Sequence, residues 1–369
     1  MNRRETERIL AAIRSAAAAG QRAALATVVR IRGSAYRREG ARIVVREDGS
    51  YECLLSGGCL EPAVAEAAAR VIASGTPRMA QYDLEEDSVW SLGIGCSGAV
   101  DILIERVEDD LLTRAWLDIL EKSRAAVLVK PLSDSKARLL VREHDSAGTL
   151  GAHALDIEAA QRARARLCAP FPRSLAEQIG QAELFFDVSV PPPQLVIFGA
   201  GNDAEPLARL GWDLGFAVTV VDARAAFLIA GRFPHATLVH TDFSCFSDTV
   251  RLGERSFAVI MNHHLERDRE CLLLALRSSA PYIGVLGPRS RFQRLLSRLR
   301  AAGVIPEPAA LSRVRSPVGL ALGAETPEEI ALSILGEMLA LQRGFDGGFL
   351  NGREASLHRS PENSALARS

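Results

Sequence analysis

The motif GAGNDA at residues 199–204 directly follows the apolar run LVIF and is itself followed by a helix-like segment. A strand that ends in GxGxxA and continues as a helix makes a tight turn and lets phosphates approach backbone N–H groups at the positive helix end. Further apolar runs beyond it, ATLVHTD, FAVIMNHH and YIGVLGP, mostly alternate with helix-like segments. This part of the chain is therefore predicted to form a Rossmann-like, doubly wound α/β domain with a parallel sheet.

The same motif suggests a nucleotide site. Gly199 and Gly201 would hold phosphates, and Asp222, which ends the next apolar run, lies near the spacing at which an acid meets a ribose hydroxyl. Asp203 would place an extra negative charge beside an incoming phosphate. Two interpretations stay open: the domain binds a nucleotide such as NAD(P), or it keeps the turn without the nucleotide.

Two further strand ends carry polar side chains. His263, followed by His264, ends one apolar run, and Gly287 and Arg289 follow another. Open α/β sheets bind ligands outside the carboxyl ends of their strands, so these residues could line one crevice. His263 is interpreted either as a base or metal ligand, or as a polar residue at a strand end.

The segment VPPPQ, residues 190–194, marks a domain boundary, because consecutive prolines cannot continue a strand or a helix. A chain of 369 residues is also too long for one ordinary core. We expect an N-terminal domain at 1–189, a Rossmann-like domain at 190–343 and a mobile, glycine- and serine-rich tail at 344–369.

The N-terminal part contains two similar stretches. ARIVVRE at 41–47 matches ARLLVRE at 137–143 at five of seven positions, and RAALATV before the first resembles RAAVLVK before the second. We infer a degenerate internal duplication within an α+β domain; chance similarity between two amphipathic hairpins is the alternative. The second copy lacks both the GSAYRREG loop and the SGGC turn of the first.

One cysteine stands in an unusual setting. Cys59 follows Gly57 and Gly58, and Pro62 suits the first turn of a helix that starts at about residue 61. The partial positive charge at a helix N-terminus favours a thiolate, and the glycines permit positive φ and close approach. Cys96 has a similar setting, GIGCSG. Alternatively each is a small buried hydrophobe, which is the prediction for the other cysteines, at 53, 168, 245 and 271.

Charge is spread along the chain. The formal net charge is -1, with Lys and Arg distributed throughout, which argues against a general nucleic-acid binder. A local group of three, Arg37, Arg38 and Arg42, flanks the loop before the first hairpin. These arginines could hold a phosphate or form a solvated basic turn, and the second interpretation is the better one when they are taken alone.

No targeting or membrane segment is predicted. The stretch MNRRETERILAAIRSAAAAGQ carries charges throughout and is typical of an amphipathic helix, not a signal peptide. No run reaches the roughly 18 apolar residues of a membrane span. Sparse cysteines suit a reducing cytoplasm, and the lack of CxxC and HExxH motifs argues against a structural zinc site.

Taken together, the motifs resemble the xanthine dehydrogenase accessory factor family, XdhC/CoxI. The resemblance covers nearly the whole chain, in order and spacing, and rests on RGSAYRREGAR, LSGGCLEPAV, GIGCSGAVDILIE, PPPQLVIFGAG, VTVVDAR, YIGVLGPRSR and SPVGLALGAETPEEIALSI. It implies a cysteine-bearing N-terminal domain, a Rossmann-like C-terminal domain and a homodimer. It also implies a cytoplasmic chaperone without turnover of its own. Such a chaperone holds the molybdenum cofactor, supports its sulfuration by a cysteine desulfurase and delivers it to a xanthine dehydrogenase or CO dehydrogenase-type molybdenum hydroxylase.

Mapped onto this chain, the resemblance makes Cys59 the SGGC cysteine and Cys96 the GCSG cysteine. Cys59 would contact molybdenum, because a thiolate is the soft ligand that such a centre accepts. Gly57, Gly58 and Arg38 would contact the rest of the cofactor. The crevice of the second domain would bind a nucleotide portion or regulate release.

The chain departs from the family pattern in its second domain. Asn202 stands where many relatives have histidine, Asn262 where many have threonine, and Pro288 where serine is usual. Two rival functions therefore stay open. One is an NAD(P)-dependent oxidoreductase that uses Asp222 and His263, and the other is a docking scaffold that binds no cofactor.

Overall fold

The structure, a computed structural model, describes residues 3–33, 35–83, 98–133, 136–242 and 249–351. Cys96 and Cys245 lie outside these ranges, as does most of the predicted tail. The described chain divides into two compact units, built from Met1–Pro191 and Pro192–Asn351. The domain bounds expected from the sequence, at 189 and 343, stay predictions.

The first unit contains the same series of elements twice: a helix, three strands, a second helix and a hairpin. The first series is α1 (Arg3–Ala18), β1 (Ala23–Gly33), β2 (Arg42–Arg46), β3 (Tyr51–Glu52), α2 (Glu61–Ser74), β4 (Arg78–Asp83) and β5 (Gly98–Arg106). The second is α3 (Leu111–Glu121), β6 (Ala126–Pro131), β7 (Arg138–Val141), β8 (Ser146–Thr149), α4 (His153–Leu167), β9 (Leu175–Ile179) and β10 (Ala182–Ser189).

Both series form a five-stranded antiparallel sheet with the same strand order. The first sheet is ordered β3-β2-β1-β5-β4 and the second β8-β7-β6-β10-β9. Each strand of the first sheet therefore has a counterpart at the same place in the second. This repeated topology confirms the predicted internal duplication and the α+β class of the N-terminal part.

One detail of the predicted duplication is wrong by one residue. The match of ARIVVRE with ARLLVRE equates Val45 with Val141, and in the sheets Val45 pairs with Ala24 while Val141 pairs with Val127. Val127 is therefore the counterpart of Ala24, whereas the match of RAALATV with RAAVLVK equates Ala24 with Ala126. A one-residue shift would turn every side chain of the strand to the opposite face of the sheet.

Helices cover one face of each sheet. In α2, Val64, Ala68 and Val71 recur every three or four residues and are buried against the first sheet. In α4, the shorter side chains of Ala159 and Ala163 are buried against the second. These apolar stripes explain why two short helices form here, since each helix is stabilised by the sheet that it covers.

The other faces of the two sheets are joined by a small apolar cluster and by ion pairs, two of which have nearly buried cations. The cluster contains Val29, Leu103 and Phe185, all fully buried. Arg42 of β2 forms a buried ion pair with Asp187 of β10, and Lys130 Nζ of β6 lies 2.5 Å from Glu105 Oε2 of β5. Arg42 is thus not part of a solvated basic turn, because its guanidinium lies between the sheets.

The duplication relates these two ion pairs. Strand pairing makes Glu105 the counterpart of Asp187, and Thr27 the counterpart of Lys130. Each acid therefore reaches a cation in the opposite sheet. Thr27 carries no charge, and Arg42, its partner in the neighbouring strand β2, supplies the charge that pairs with Asp187.

The second unit alternates strands and helices. It comprises β11 (Gln194–Phe198), α5 (Ala204–Asp213), β12 (Ala217–Asp222), a 3-10 turn (Ala225–Phe227), β13 (Thr237–His240), β14 (Ser256–Ile260), α6 (Leu265–Arg277), β15 (Tyr282–Val285), α7 (Arg289–Ala301), α8 (Pro308–Leu311), β16 (Val314–Arg315) and α9 (Pro327–Arg343). All neighbouring strands are parallel, in the order β13-β12-β11-β14-β15-β16. This is the Rossmann order, which confirms the predicted doubly wound domain.

The strand order reverses between β11 and β14, so the crevice at their carboxyl ends is the expected ligand position of this fold. Both strands are almost entirely buried and apolar, as parallel strands covered by helices on both faces must be. The turn after β11 and the residues after β14 therefore face each other at one end of the sheet.

Candidate functional site

Three loops of the first repeat leave its sheet at one end. β1, β3 and β4 run in the same direction, since each is separated from the next by one antiparallel neighbour. The connections that follow these strands comprise residues 34–41, 53–60 and 84–97. Their counterparts in the second repeat are shorter, at residues 132–137, 150–152 and 180–181. The SGGC motif of Cys59 thus belongs to a connection that is longer in the first repeat than in the second; residues 84–97, which include Cys96, lie outside the described residues.

Cys59 lies directly before the first turn of α2. The helix begins at Glu61, with Leu60 as its N-cap residue and a proline in its first turn, as expected. Gly58 has a φ of 111°, a backbone conformation that favours glycine. Among the described residues, a Cβ atom on Gly57 or Gly58 would meet nothing within 4 Å. The Cys59 side chain is partly buried and packs against the core of the first unit.

A buried hydrogen-bond network holds this turn, and sequence reasoning missed it. Glu61 is fully buried, and its Oε1 accepts from the backbone N–H groups of Leu55 and Ser56 at 2.7 and 2.8 Å. Ser56 Oγ donates to Glu61 Oε2 at 2.6 Å and accepts from the N–H of Cys59 at 3.1 Å. The sequence did contain a signal for this network. A serine and a glutamate lie on either side of GGC, and the glutamate is an acid in an otherwise apolar helix start.

The network also sets the charge of Glu61. Burial acts to raise the pKa of this carboxyl, but hydrogen bonds from the Ser56 hydroxyl and from backbone N–H groups outweigh burial. The pKa therefore lies below its ordinary value of 4.5. Glu61 is ionised at neutral pH.

The three arginines around loop 34–41 do not form one cluster. Arg37 pairs with Glu5 on α1, and Arg42 is the buried partner of Asp187. Arg38 is partly buried, and its carbonyl accepts from the N–H of Ala41 at 3.0 Å. The structure thus separates the three arginines, and the predicted contact of Arg38 with a cofactor stays a prediction.

The other cysteines divide into two groups. Cys53 and Cys271 are buried, as predicted, and burial raises the pKa of both thiols, which fits unreactive core residues. Cys168 is exposed, so its predicted burial is wrong. It is the C-cap residue of α4, beyond the last turn that packs against the sheet.

In the second unit, the structure brings the glycine turn and the end of β14 together. Gly199 has a φ of 116°, and a Cβ there would lie 2.6 Å from the carbonyl oxygen of Met261. A Cβ on Gly201 would lie 4.0 Å from His263 Cδ2. His263 Nε2 lies 3.4 Å from Asp203 Oδ2, and His263 has a φ of 57°, rare for a residue other than glycine. Gly199, Gly201 and His263 thus line one crevice, as expected.

The residues beneath His263 are held by a second buried network. The backbone N and Nδ2 of Asn262 both donate to Asp268 Oδ1 at 3.2 Å, and Arg291 forms an ion pair with the same carboxylate. Arg289 is exposed and is the first residue of α7, at the carboxyl end of β15. Asn262 is therefore held in place directly before His263. Arg289 lies one strand further along the sheet.

Asp222 lies beside the glycine turn, but its oxygens are already in use. The carboxylate is fully buried; Oδ2 accepts from the Ala200 N–H at 2.8 Å, and Oδ1 accepts from the Arg224 N–H at 2.8 Å. The Arg224 guanidinium adds two further bonds, at 3.0 and 2.7 Å. Burial acts to raise the pKa of Asp222, but these bonds outweigh it and lower that pKa. In this structure Asp222 holds the turn in place.

We expect Asp222→Asn to remove an acid-dependent part of the stability of the second unit. Because the pKa of Asp222 is lowered in the folded state, its contribution is complete above the ordinary value of 3.8 and is lost as pH falls through the folded pKa. Urea unfolding at several pH values between about 5 and 2 should show a shallower decline in the variant. Glu254→Gln, at an exposed position, should leave the decline unchanged. Equal declines for Asp222→Asn and wild type would contradict this assignment.

Two kinds of feature are absent from the described ranges. No helix there combines the length and apolarity that crossing a bilayer requires. Nor do three or more His, Cys, Asp or Glu side chains come together there as a metal site. Among the described residues, no third side chain of this kind therefore joins His263 and Asp203.

Known proteins match both units. Residues 195–338 match the XdhC Rossmann domain, and residues 16–83 match the XdhC and CoxI family. The chain is 33% identical, over 88% of its length and 94% of the relative, to a probable xanthine dehydrogenase subunit of Bacillus subtilis (strain 168). It is 26% identical, over 88% of its length and 84% of the relative, to the molybdenum cofactor insertion chaperone PaoD of Escherichia coli (strain K12).

A solved structure also matches. The crystal structure of a xanthine dehydrogenase from Bacillus halodurans is similar with a TM-score of 0.74 at 31% identity, over 97% of this chain and 99% of that one. The two family matches, together with a relative that is matched over nearly its whole length, show that this chain belongs to the XdhC and CoxI family.

Proposed function

We propose that this protein is a maturation chaperone that binds the molybdenum cofactor, supports its sulfuration and delivers it to a molybdenum hydroxylase. The observation that carries the proposal is the Cys59 turn: a partly buried sulfur just before α2, next to two glycines at which an added Cβ would meet no described atom within 4 Å. The names of two relatives, a molybdenum cofactor insertion chaperone and a probable subunit of xanthine dehydrogenase, support the same role.

Each residue of the turn has a part in holding this cargo. Cys59 supplies a soft sulfur ligand for the molybdenum. Gly57 and Gly58 leave the backbone open to a bulky pterin, because they have no side chains. Arg38, on a loop at the same end of the sheet, supplies positive charge for the cofactor's phosphate. Cys96, which lies in the sequence between β4 and β5, is proposed as a second contact.

The second unit has a supporting part in this proposal. Its crevice binds a nucleotide portion of the cargo or regulates release, through Gly199, Gly201, His263 and Arg289. The partners are a hydroxylase of the xanthine dehydrogenase or CO dehydrogenase type and a cysteine desulfurase that provides sulfur. We further propose that the protein acts as a homodimer in the cytoplasm, without turnover of its own.

The geometry disfavours an NAD(P)-dependent oxidoreductase. Asp222, the acid that would bind a ribose hydroxyl, is buried and already accepts hydrogen bonds from Ala200 and Arg224. Asp203 places a carboxylate at the start of α5, where a pyrophosphate would bind. An oxidoreductase would oxidise NAD(P)H with some acceptor, and we expect no such oxidation here.

Cys59→Ser is expected to abolish cofactor retention. The protein is mixed anaerobically with isolated molybdenum cofactor and passed over a gel-filtration column, and molybdenum and pterin are assayed in the protein peak. Wild type should carry both. The variant should carry neither above background, because a serine hydroxyl is a poor ligand for a soft metal–dithiolene centre.

Cys168→Ser is the matched control, since it removes an exposed thiol on α4 and should retain cofactor like wild type. Equal retention by wild type and Cys59→Ser would remove Cys59 from the binding site. Cofactor retained by neither protein would contradict direct cofactor handling. A docking scaffold would instead support hydroxylase maturation in cells regardless of Cys59.

A further inference from the structure

Four buried polar atoms between the two sheets of the first unit form no hydrogen bond with any described residue. They are Thr27 Oγ1, Arg42 Nε, Arg42 Nη1 and Asp187 Oδ2. The three residues are 0%, 4% and 0% exposed, so bulk solvent does not reach these atoms. A buried polar group without a partner is costly, and these four atoms therefore call for one.

The four atoms belong to one small cluster. Arg42 and Asp187 form their ion pair through one nitrogen, Nη2, and one oxygen, Oδ1, so three of the unpartnered atoms belong to these same two charged groups. Thr27 is directly opposite Arg42 in the pairing of β1 with β2. Residues paired in this way project from the same face of a sheet, with Cβ atoms about 5 Å apart.

The chemistry of the cluster favours a neutral ligand that both donates and accepts hydrogen bonds. The carboxylate of Asp187 would repel an anion, and the guanidinium of Arg42 would repel a metal ion. The guanidinium nitrogens can only donate, the carboxylate oxygen can only accept, and the hydroxyl of Thr27 can do either. A water molecule matches this set, and buried waters typically have about three such partners.

We propose that a buried water molecule binds between the two sheets, held by Arg42, Asp187 and Thr27. It accepts from the guanidinium and donates to Asp187 Oδ2 and to Thr27 Oγ1. The duplication explains why the first repeat needs it. Lys130, the counterpart of Thr27 in the second repeat, reaches its acid directly, with Nζ 2.5 Å from Glu105 Oε2. Threonine is shorter than lysine, and the water takes the place of the missing length.

The water site holds the start of β2 to the second repeat. Arg42 is the first residue of β2, and Gly40, two residues earlier, also lies against the second repeat, since a Cβ there would be 3.0 Å from Ser174 Oγ. One bound water is not the full hydration of a free ion, so the stability of the pair still depends on its own two charges. The site lies apart from the cargo of the proposed function and does not depend on it.

Thr27→Val distinguishes a hydrated cluster from a dry one by the sign of its effect. Valine has the shape of threonine without the hydroxyl and is equally suited to a strand. If the water bonds to the hydroxyl, valine removes one of its partners, and the equilibrium constant for folding should fall about fivefold. In a dry cluster, valine would remove an unpartnered buried hydroxyl and would stabilise the protein. The measurement is urea unfolding with hydrogen exchange of peptides from β1 and β2.

Two further variants show that the effect comes from the cluster. Thr237→Val, at an exposed position of β13, is the matched control and should leave unfolding unchanged. In a background of Arg42→Met with Asp187→Leu, no charged pair is left to hold the water. Adding Thr27→Val to that background should no longer cost stability.

A high-resolution crystal structure of the wild-type protein gives the direct observation. It should show an ordered water within about 3.2 Å of an Arg42 nitrogen, of Asp187 Oδ2 and of Thr27 Oγ1. A dry cluster, or a bidentate ion pair that occupies both carboxylate oxygens, would overturn the proposal. So would stability that is unchanged or higher in Thr27→Val. Neither measurement involves the molybdenum cofactor, so its outcome is separate from that of the retention experiment.

Discussion

Asp187→Ala should lower the free energy of unfolding of the first unit by about 3–5 kcal/mol. The Arg42 side chain is 3% exposed and the Asp187 side chain 0% exposed, so the arginine left behind keeps its charge and cannot regain water. Three polar atoms of this pair, Arg42 Nε, Arg42 Nη1 and Asp187 Oδ2, have no hydrogen-bond partner among the described residues, so none of these residues compensates for the lost bond. The measurement is urea unfolding with hydrogen exchange of peptides from β2 and β10.

Two variants show whether the effect comes from burial. Arg14→Ala breaks an ion pair with Glu121 whose side chains are 60% and 54% exposed, and should cost at most about 1 kcal/mol. Replacing both partners, Arg42→Met with Asp187→Leu, should recover most of the stability, since no charge is then buried. Equal costs for Asp187→Ala and Arg14→Ala would mean that the buried pair is not what holds the two sheets together.

Gly199→Ala should destabilise the second unit by about 3 kcal/mol or more. The backbone there has a φ of 116°, which strains any residue with a Cβ, and that Cβ would lie 2.6 Å from the carbonyl oxygen of Met261. The neighbour is backbone that directly follows β14, so it cannot swing aside as a side chain would. Hydrogen exchange of peptides from β11 and β14, followed during urea unfolding, reports this unit separately from the first.

Gly201→Ala is the matched control, from the same motif. The nearest atom to its Cβ is His263 Cδ2, at 4.0 Å, which is ordinary contact with a movable side chain. We expect a cost of about 1 kcal/mol or less. A similar loss for both variants would contradict the view that only the first glycine is required by the fold, and that the second leaves space in the crevice.

Features that depend on local sequence were predicted well. The GAGNDA motif correctly predicted the strand, turn and helix around Gly199, because the turn, the positive φ and the helix start all lie within a few residues. The start of α2 beside Cys59 followed in the same way from a glycine pair and a proline. Asp222 was correctly expected to end the next strand, but the effect of Arg224, two residues later, was not considered.

Features that depend on distant partners were not predictable. Arg42 was interpreted as a solvated basic residue because its sequence neighbours are arginines, whereas its partner Asp187 is 145 residues away. The strand register of the duplication failed for a related reason. The alanines at the start of β1 and β6 align in sequence, but this alignment differs by one residue from the one in the sheets. The register is decided by pairing with β2 and β7.

The short loops of the second repeat have a practical consequence. They show that this sheet and its helix hold together when the last two strands of a repeat are joined by two residues in place of fourteen, 180–181 against 84–97. The second repeat is therefore a template for a variant of the first repeat in which the long cysteine-bearing connections are replaced by short ones. Comparison of the two repeats separates the residues that the sheet and its helix need for folding from the longer connections that the first repeat carries in addition.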